Sequence, residues 1–198
     1  MKIILYFTLI LMYSCDPSQE KNLVDTKTRK IPKVYVSIKS KDLSFKSDTA
    51  FLNNKPYAGF IYELDATTND LIASGGYLNG LLSGVKKKWY KGYALMEERY
   101  YLNGAKNGKQ IAYWENGNKK FEFVAKNDTY EGELKEWNIS GNLIHLATFV
   151  NGQEEGTQKM WYDNGKIRAN YVMRKGKRYG LLGTKNCVNV SDSIFVVK

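Results

Sequence analysis

The chain is poor in the residues that most often do chemistry. It has one histidine, His145, and two cysteines, Cys15 and Cys187, in 198 residues. No second His or free Cys stands at metal-ligand spacing, so a transition-metal centre is not expected. A Ser-His-Asp set would have to be built on His145, and nothing marks a nucleophile elbow near it. No glycine-rich segment ends in the lysine-threonine pair of a phosphate loop opening a helix. Glu97-Glu98 and Glu154-Glu155 are adjacent in sequence. Neighbours on a strand point to opposite faces, so neither pair can act together on one bond. The apolar run at residues 3–13 is too short to cross a bilayer core of roughly 30 Å as a helix. These absences exclude the usual enzyme constellations. The expectation is a non-catalytic protein without metal or cofactor, whose function is to present a surface.

Regular spacing of glycine is the main positive feature. Gly59, Gly84, Gly108, Gly132, Gly156 and Gly180 follow one another at 25, 24, 24, 24 and 24 residues. A fixed period over most of a chain means one small unit copied in tandem. Full units begin at Leu78, Leu102, Lys126 and Val150. Each opens on Asn79-Gly80, Asn103-Gly104, Asn127-Asp128 or Asn151-Gly152, and Lys175-Gly176 continues the series. The framework glycine follows, then a strand-like segment at residues 85–90, 109–114, 133–137 or 157–162. A second turn comes at Lys91-Gly92, Asn116-Gly117, Ser140-Gly141 or Asn164-Gly165, and a second strand closes the unit.

Asn-Gly between short apolar-aromatic segments signals a type I′ hairpin, which needs φ > 0 at both central residues. Each unit therefore reads as a β-hairpin, and the chain as an all-β, elongated, single-layer antiparallel meander of hairpins of about 24 residues. A lone hairpin is marginal in water, but stacking pairs every edge except the outermost two. Leu71, Leu95, Lys119, Leu143 and Ile167 share one parity with Tyr77, Tyr101, Ala125, Phe149 and Met173, which marks a packed face. His145 falls on that parity and reads as a structural histidine. Glu98, Glu122, Lys120 and Arg168 mark the other face as wetter. An aromatic stands five residues after each framework glycine, at Trp89, Tyr113, Trp137 and Trp161. With Trp114 and Tyr162 they form a candidate binding or structural ladder. Its rungs are about 9.6 Å apart, with room for other side chains between them.

These residues resemble the bacterial variant of the MORN repeat (membrane occupation and recognition nexus). Its pattern runs tyrosine, Asn-Gly, glycine, Trp-Tyr, Asn-Gly. Tyr101 through Gly108 with Tyr113-Trp114-Glu115-Asn116-Gly117 is similar to it, as is Asn151-Gly152 through Trp161-Tyr162-Asp163-Asn164-Gly165. The resemblance covers residues 53–180. Asn127-Asp128, Asn138 in place of the second aromatic, and the degenerate start around Pro56 depart from it. It implies an extended twisted sheet and no reaction. Some bacterial members carry a toxin–antitoxin antitoxin label, which gives an antitoxin or immunity-like alternative.

The N-terminus reads separately. Lys2, the apolar run and Ser14 before Cys15 resemble a bacterial lipoprotein signal. That resemblance implies cleavage before Cys15, which is then acylated. An ordinary secretory signal beside a cysteine, or an N-terminal membrane anchor, is the alternative. The expected organisation is a signal peptide at 1–14, lipidated Cys15 and tether at 15–30, and a cap with the start of a degenerate repeat at 31–58. A repeat array at 59–180 and a C-terminal cap at 181–198 complete it. With Cys15 acylated, Cys187 has no intrachain partner. Losing Lys2 leaves 29 basic residues against 20 acidic, concentrated at Lys86-Lys87-Lys88 and residues 174–178. Such charge attracts polyanions, but an exported chain without a nucleic-acid-binding motif is not expected to meet nucleic acid. The expected location is the bacterial envelope, attached to the membrane by lipid, with the outer membrane preferred to the inner. The expected partner is an envelope protein bound through the sheet face or edge, and glycan on the aromatic ladder is the alternative.

Overall fold

The structure, a computed structural model, describes residues 30–181. The signal segment, Cys15, the tether to residue 29, and the C-terminal cap with Cys187 beyond residue 181 lie outside the described residues.

Fifteen strands and no helix occur among the described residues. The N-terminal strands are β1 (Tyr35–Ser37), β2 (Leu43–Lys46), β3 (Thr49–Leu52), β4 (Lys55–Pro56) and β5 (Gly59–Leu64). The repeat strands are β6 (Leu71–Leu78), β7 (Leu81–Trp89), β8 (Leu95–Leu102), β9 (Ala105–Tyr113) and β10 (Lys119–Lys126). They continue as β11 (Thr129–Trp137), β12 (Leu143–Val150), β13 (Gln153–Trp161), β14 (Ile167–Arg174) and β15 (Lys177–Leu181). Strands β5 to β15 pair each with the next in one antiparallel sheet, the long meander expected from the period. β1 adds to β5 in parallel, with Val36 beside Ile61. Parallel neighbours need a crossover. Here it is the small sheet β2-β3-β4, which packs Ala50, Leu43 and Leu52 near Tyr57, Ile61 and Tyr77. Burying each such large side chain contributes about 1.5–3 kcal/mol.

Two kinds of turn alternate. Asn103 and Gly104 have φ of 50° and 89°, Asn151 and Gly152 of 50° and 79°, and Lys175 and Gly176 of 51° and 73°. Both central residues are left-handed, as a type I′ turn requires. Asn127-Asp128 keeps the same shape without glycine, at 49° and 64°. Asp128 Oδ1 accepts from the Lys106 amide of the preceding unit at 2.9 Å, a bond that helps hold the aspartate in this conformation. At the second turn of the later three units only the glycine is left-handed, as in Gly117 at 86° and Gly141 at 85°, whereas after Gly92 the non-glycine Tyr93 is left-handed too, at 67°. The Gly117 amide donates to Trp114 O at 2.9 Å, and the Trp114 amide donates to Asn118 O at 2.8 Å. That is a type I turn closed by a glycine bulge, the usual three-residue hairpin loop.

The framework glycines lie inside the strands, whereas the sequence places the strand after them. Gly84, Gly108, Gly132 and Gly156 have φ between 74° and 98°. Each sits where the register slips. In the β8–β9 pair, Tyr101 faces Lys106 and Arg99 faces Gln110, so three residues around Gly108 oppose Tyr100 alone. A left-handed glycine accommodates that bulge. Across the other neighbour these glycines face the large or apolar residue of the packed parity: Gly84 and Tyr101, Gly132 and Phe149, Gly156 and Met173. The terminal two differ. A side chain on Gly59 would strike the Tyr57 hydroxyl and Val34 O, and Gly180 pairs with Tyr171 in an unshifted ladder.

Pairing turns the parity expected from sequence into continuous rows. One row crosses Gly75, Lys86, Arg99, Gln110, Phe123, Leu134, Ala147, Gln158 and Tyr171. Ala147 is 0% exposed and Gln158 1%. The other face is not uniformly wet, because Ile111 is buried there between Glu98 and Glu122.

Candidate functional site

Each first aromatic takes an equivalent place in its own unit. Trp89, Tyr113, Trp137 and Trp161 pair across the strands with Leu95, Lys119, Leu143 and Ile167. All four are half-buried. Among the described residues no two of these rings stack on each other. Lysines lie between the rungs, with Lys119 Nζ 5.5 Å from the Trp137 ring centre and Lys120 Nζ 4.4 Å from that of Trp114. Such contacts contribute about 0.5–1 kcal/mol at exposed sites.

The second aromatic of each unit is a staple between units. Tyr90 Oη donates to Tyr113 O at 3.0 Å, and Trp114 Nε1 donates to Trp137 O at 3.0 Å. Asn138 replaces this aromatic and donates to the carboxylate of Asp163 at 3.0 Å. The opposite turn row is laced as well. The Gly104 amide donates to Leu82 O at 2.8 Å and the Gly152 amide to Tyr130 O at 2.9 Å.

Beside Asp163, the partner of Asn138, the surface between two second turns opens into a shallow groove of about 690 Å³. Trp137, Leu143 and Trp161 supply its apolar walls, and Asn142, Asp163 and Asn164 its polar ones. Tyr162, at the mouth of the same turn row, is exposed.

A second aromatic group was not legible as a unit in the sequence. Phe121, Phe123, Tyr130 and Phe149 form a chain of rings with centroids 5.7, 4.7 and 5.0 Å apart. The Arg99 guanidinium lies 4.7 Å from the Phe121 ring centre and extends it. Tyr130 is 40% exposed. The signal that could have found this cluster is the turn at Asn127-Asp128. It sets Tyr130 opposite Ala125, whose small side chain leaves room for the ring to reach Phe123. Gly132 opposite Phe149 does the same on the next strand.

Two of the three lysines at 86–88 are paired within the sheet, and in the 174–178 run Arg178 lies 3.7 Å from Glu154. Lys87 pairs with Glu98 at 2.8 Å, Lys88 with Glu97 at 3.4 Å, and Lys109 and Lys119 both with Glu122. Glu97 and Glu98 thus serve different rows on opposite faces. Lys86 is the exception in its run. It lines a small cavity of about 80 Å³ with Tyr62, Glu63 and Ser74, and burial, followed by the neighbouring Lys88, pushes its ammonium below the usual lysine range. His145 Nδ1 lies 2.8 Å from Glu136 Oε2, its directly facing neighbour. That contact holds the Glu136 carboxyl below the usual carboxylate range against the opposing effect of burial. Among the described residues no group of His, Cys, Asp or Glu is arranged to hold a metal.

Comparison of the chain with protein-family models and with curated proteins found no match.

Proposed function

We infer that this protein is a lipid-anchored scaffold of the bacterial envelope, related to MORN-repeat proteins, that binds another envelope protein without catalysing a reaction. The observation that carries the reading is the Arg99–Phe121–Phe123–Tyr130–Phe149 row on one sheet face. Tyrosine, phenylalanine and arginine on a rigid platform are the side chains that anchor protein interfaces, because they bury large areas with few rotors. The platform is rigid because one row of turns is tied to the preceding unit and the other to the following one. The sequence Ser14-Cys15 after an apolar run supports the anchor. Two or three acyl chains would hold the protein stably, since each buried CH₂ contributes roughly 0.8 kcal/mol.

The test places a photo-crosslinking residue at position 130, and at position 93 as a control, in the full chain expressed in cells. A single discrete adduct from 130, absent from 93 and lost on Phe149→Ala, supports the scaffold. Equal labelling at both positions, or none at 130, rejects it. Replacing Cys15 by Ser tests the anchor separately. The expected product is not acylated and leaves the membrane fraction, and an acylated mature form would contradict the anchor.

A further inference from the structure

We propose that the groove between Trp137 and Trp161 is a saccharide subsite that accepts one pyranose unit of a glycan. The site is independent of the aromatic row proposed above to bind protein.

The groove adjoins the unit that departs from the repeat, because Asp163 in its wall is the partner of Asn138. Elsewhere the residue after the first aromatic is large, and Trp114 spans to Trp137 O in the following unit. At Asn138 the side chain is short and turned onto Asp163. An indole at 138, reaching toward Trp161 as Trp114 reaches toward Trp137, would crowd this groove.

The walls suit a sugar. A pyranose ring presents a flat C–H face that packs on an aromatic surface, and a rim of hydroxyls that needs planar donors and acceptors. The Trp161 indole makes no hydrogen bond, ring contact or cation contact among the described residues, so it is available. Asp163 uses Oδ1 for Asn138, leaving Oδ2 to accept. Asn164 uses Oδ1 for the Lys166 amide at 3.0 Å, leaving Nδ2 to donate. The side-chain amide of Asn142 has no partner among the described residues. Asp163 and Asn164 are thus held in place by one bond each while offering a second atom. Fixed polar groups beside apolar walls give a pocket its orientation and specificity. The neighbouring unit does not repeat the site, because Lys119 stands where Leu143 stands here and is paired with Glu122.

The test measures intrinsic tryptophan fluorescence and saturation-transfer NMR on the full chain in detergent, with chitotetraose, cellotetraose and maltotetraose as probes. At least one should bind in the millimolar range or tighter. Asn138→Trp crowds the groove with the side chain that its neighbour unit carries, and should abolish binding with the far-UV spectrum unchanged. Trp161→Ala should weaken binding by roughly tenfold, the scale of a lost stacking contact. Trp89→Ala, on a distant unit, should leave it intact. The proposal falls if no probe binds at about 10 mM, or if a folded Asn138→Trp or Trp161→Ala variant binds as the parent does. If one variant fails to fold, the other decides.

Discussion

The side-chain amide of Gln110 donates to the backbone carbonyl of Tyr100 at 2.8 Å. Two units later Gln158 donates to Thr148 O at the same distance. Tyr100 and Thr148 are the lone residues opposite the glycine bulges, where the backbone ladder is broken. The glutamines replace the missing backbone donors inside a buried row. Each keeps one buried atom, Oε1, without a partner.

Truncation and replacement at Gln110 should therefore differ. Gln110→Ala leaves a carbonyl unsatisfied and opens space, and should cost about 2–3 kcal/mol. Gln110→Leu removes the unpaired Oε1 together with the useful donor and fills the volume. Leu134 already occupies this position in the next unit, so the change should cost no more than about 1 kcal/mol. Urea unfolding of both variants checks the order, and equal losses would show that the carbonyl bond is not what matters.

Gly132 isolates backbone strain from crowding. Its φ is 75°, and an added Cβ would meet nothing within 4 Å. Gly132→Ala should cost about 1–2 kcal/mol through the left-handed backbone alone. Gly108→Val should cost more, because a Cβ there already lies 3.4 Å from that of Tyr100. A melting temperature unchanged in Gly132→Ala would remove the structural role of the period.

The stapling role of the second aromatic predicts a small, specific loss. Trp114→Phe keeps a ring for Lys120 but removes the donor to Trp137 O. It should cost about 0.5–1.5 kcal/mol, the usual net value of one hydrogen bond. Hydrogen exchange at the neighbouring turn amides should quicken, and uniform protection in the variant would argue against a link between units.

His145 and Glu136 give the sheet an acid-sensitive contact. The His145 bond is the main cause of the lowered Glu136 pKa. A carboxyl lowered on folding adds stability above its unfolded pKa and loses it as pH falls through the folded value. The contribution should be complete at neutral pH and should decline below about 4.5, the ordinary value of a glutamate. Glu136→Gln should flatten that part of the stability–pH curve, as followed by denaturant midpoints. A curve that keeps its slope would place the acid sensitivity in other carboxylates.

Much of this architecture is determined locally. Turn residues with positive φ recur at fixed spacing, so the type I′ hairpins, their order and the alternation of faces follow from sequence. Neighbouring hairpins then have little choice but to pair, because a lone one cannot bury its face. Tertiary structure decided what local rules do not encode. The two-residue slip beside each of the four inner framework glycines depends on how one hairpin meets the next, and that slip leaves the buried carbonyls met by Gln110 and Gln158. The same slip brings Phe123, Tyr130 and Phe149 together and turns Trp114 into a staple. The effect of Asn138 is tertiary as well, since its bond to Asp163, in the wall of the groove, forms only when the next unit lies beside it.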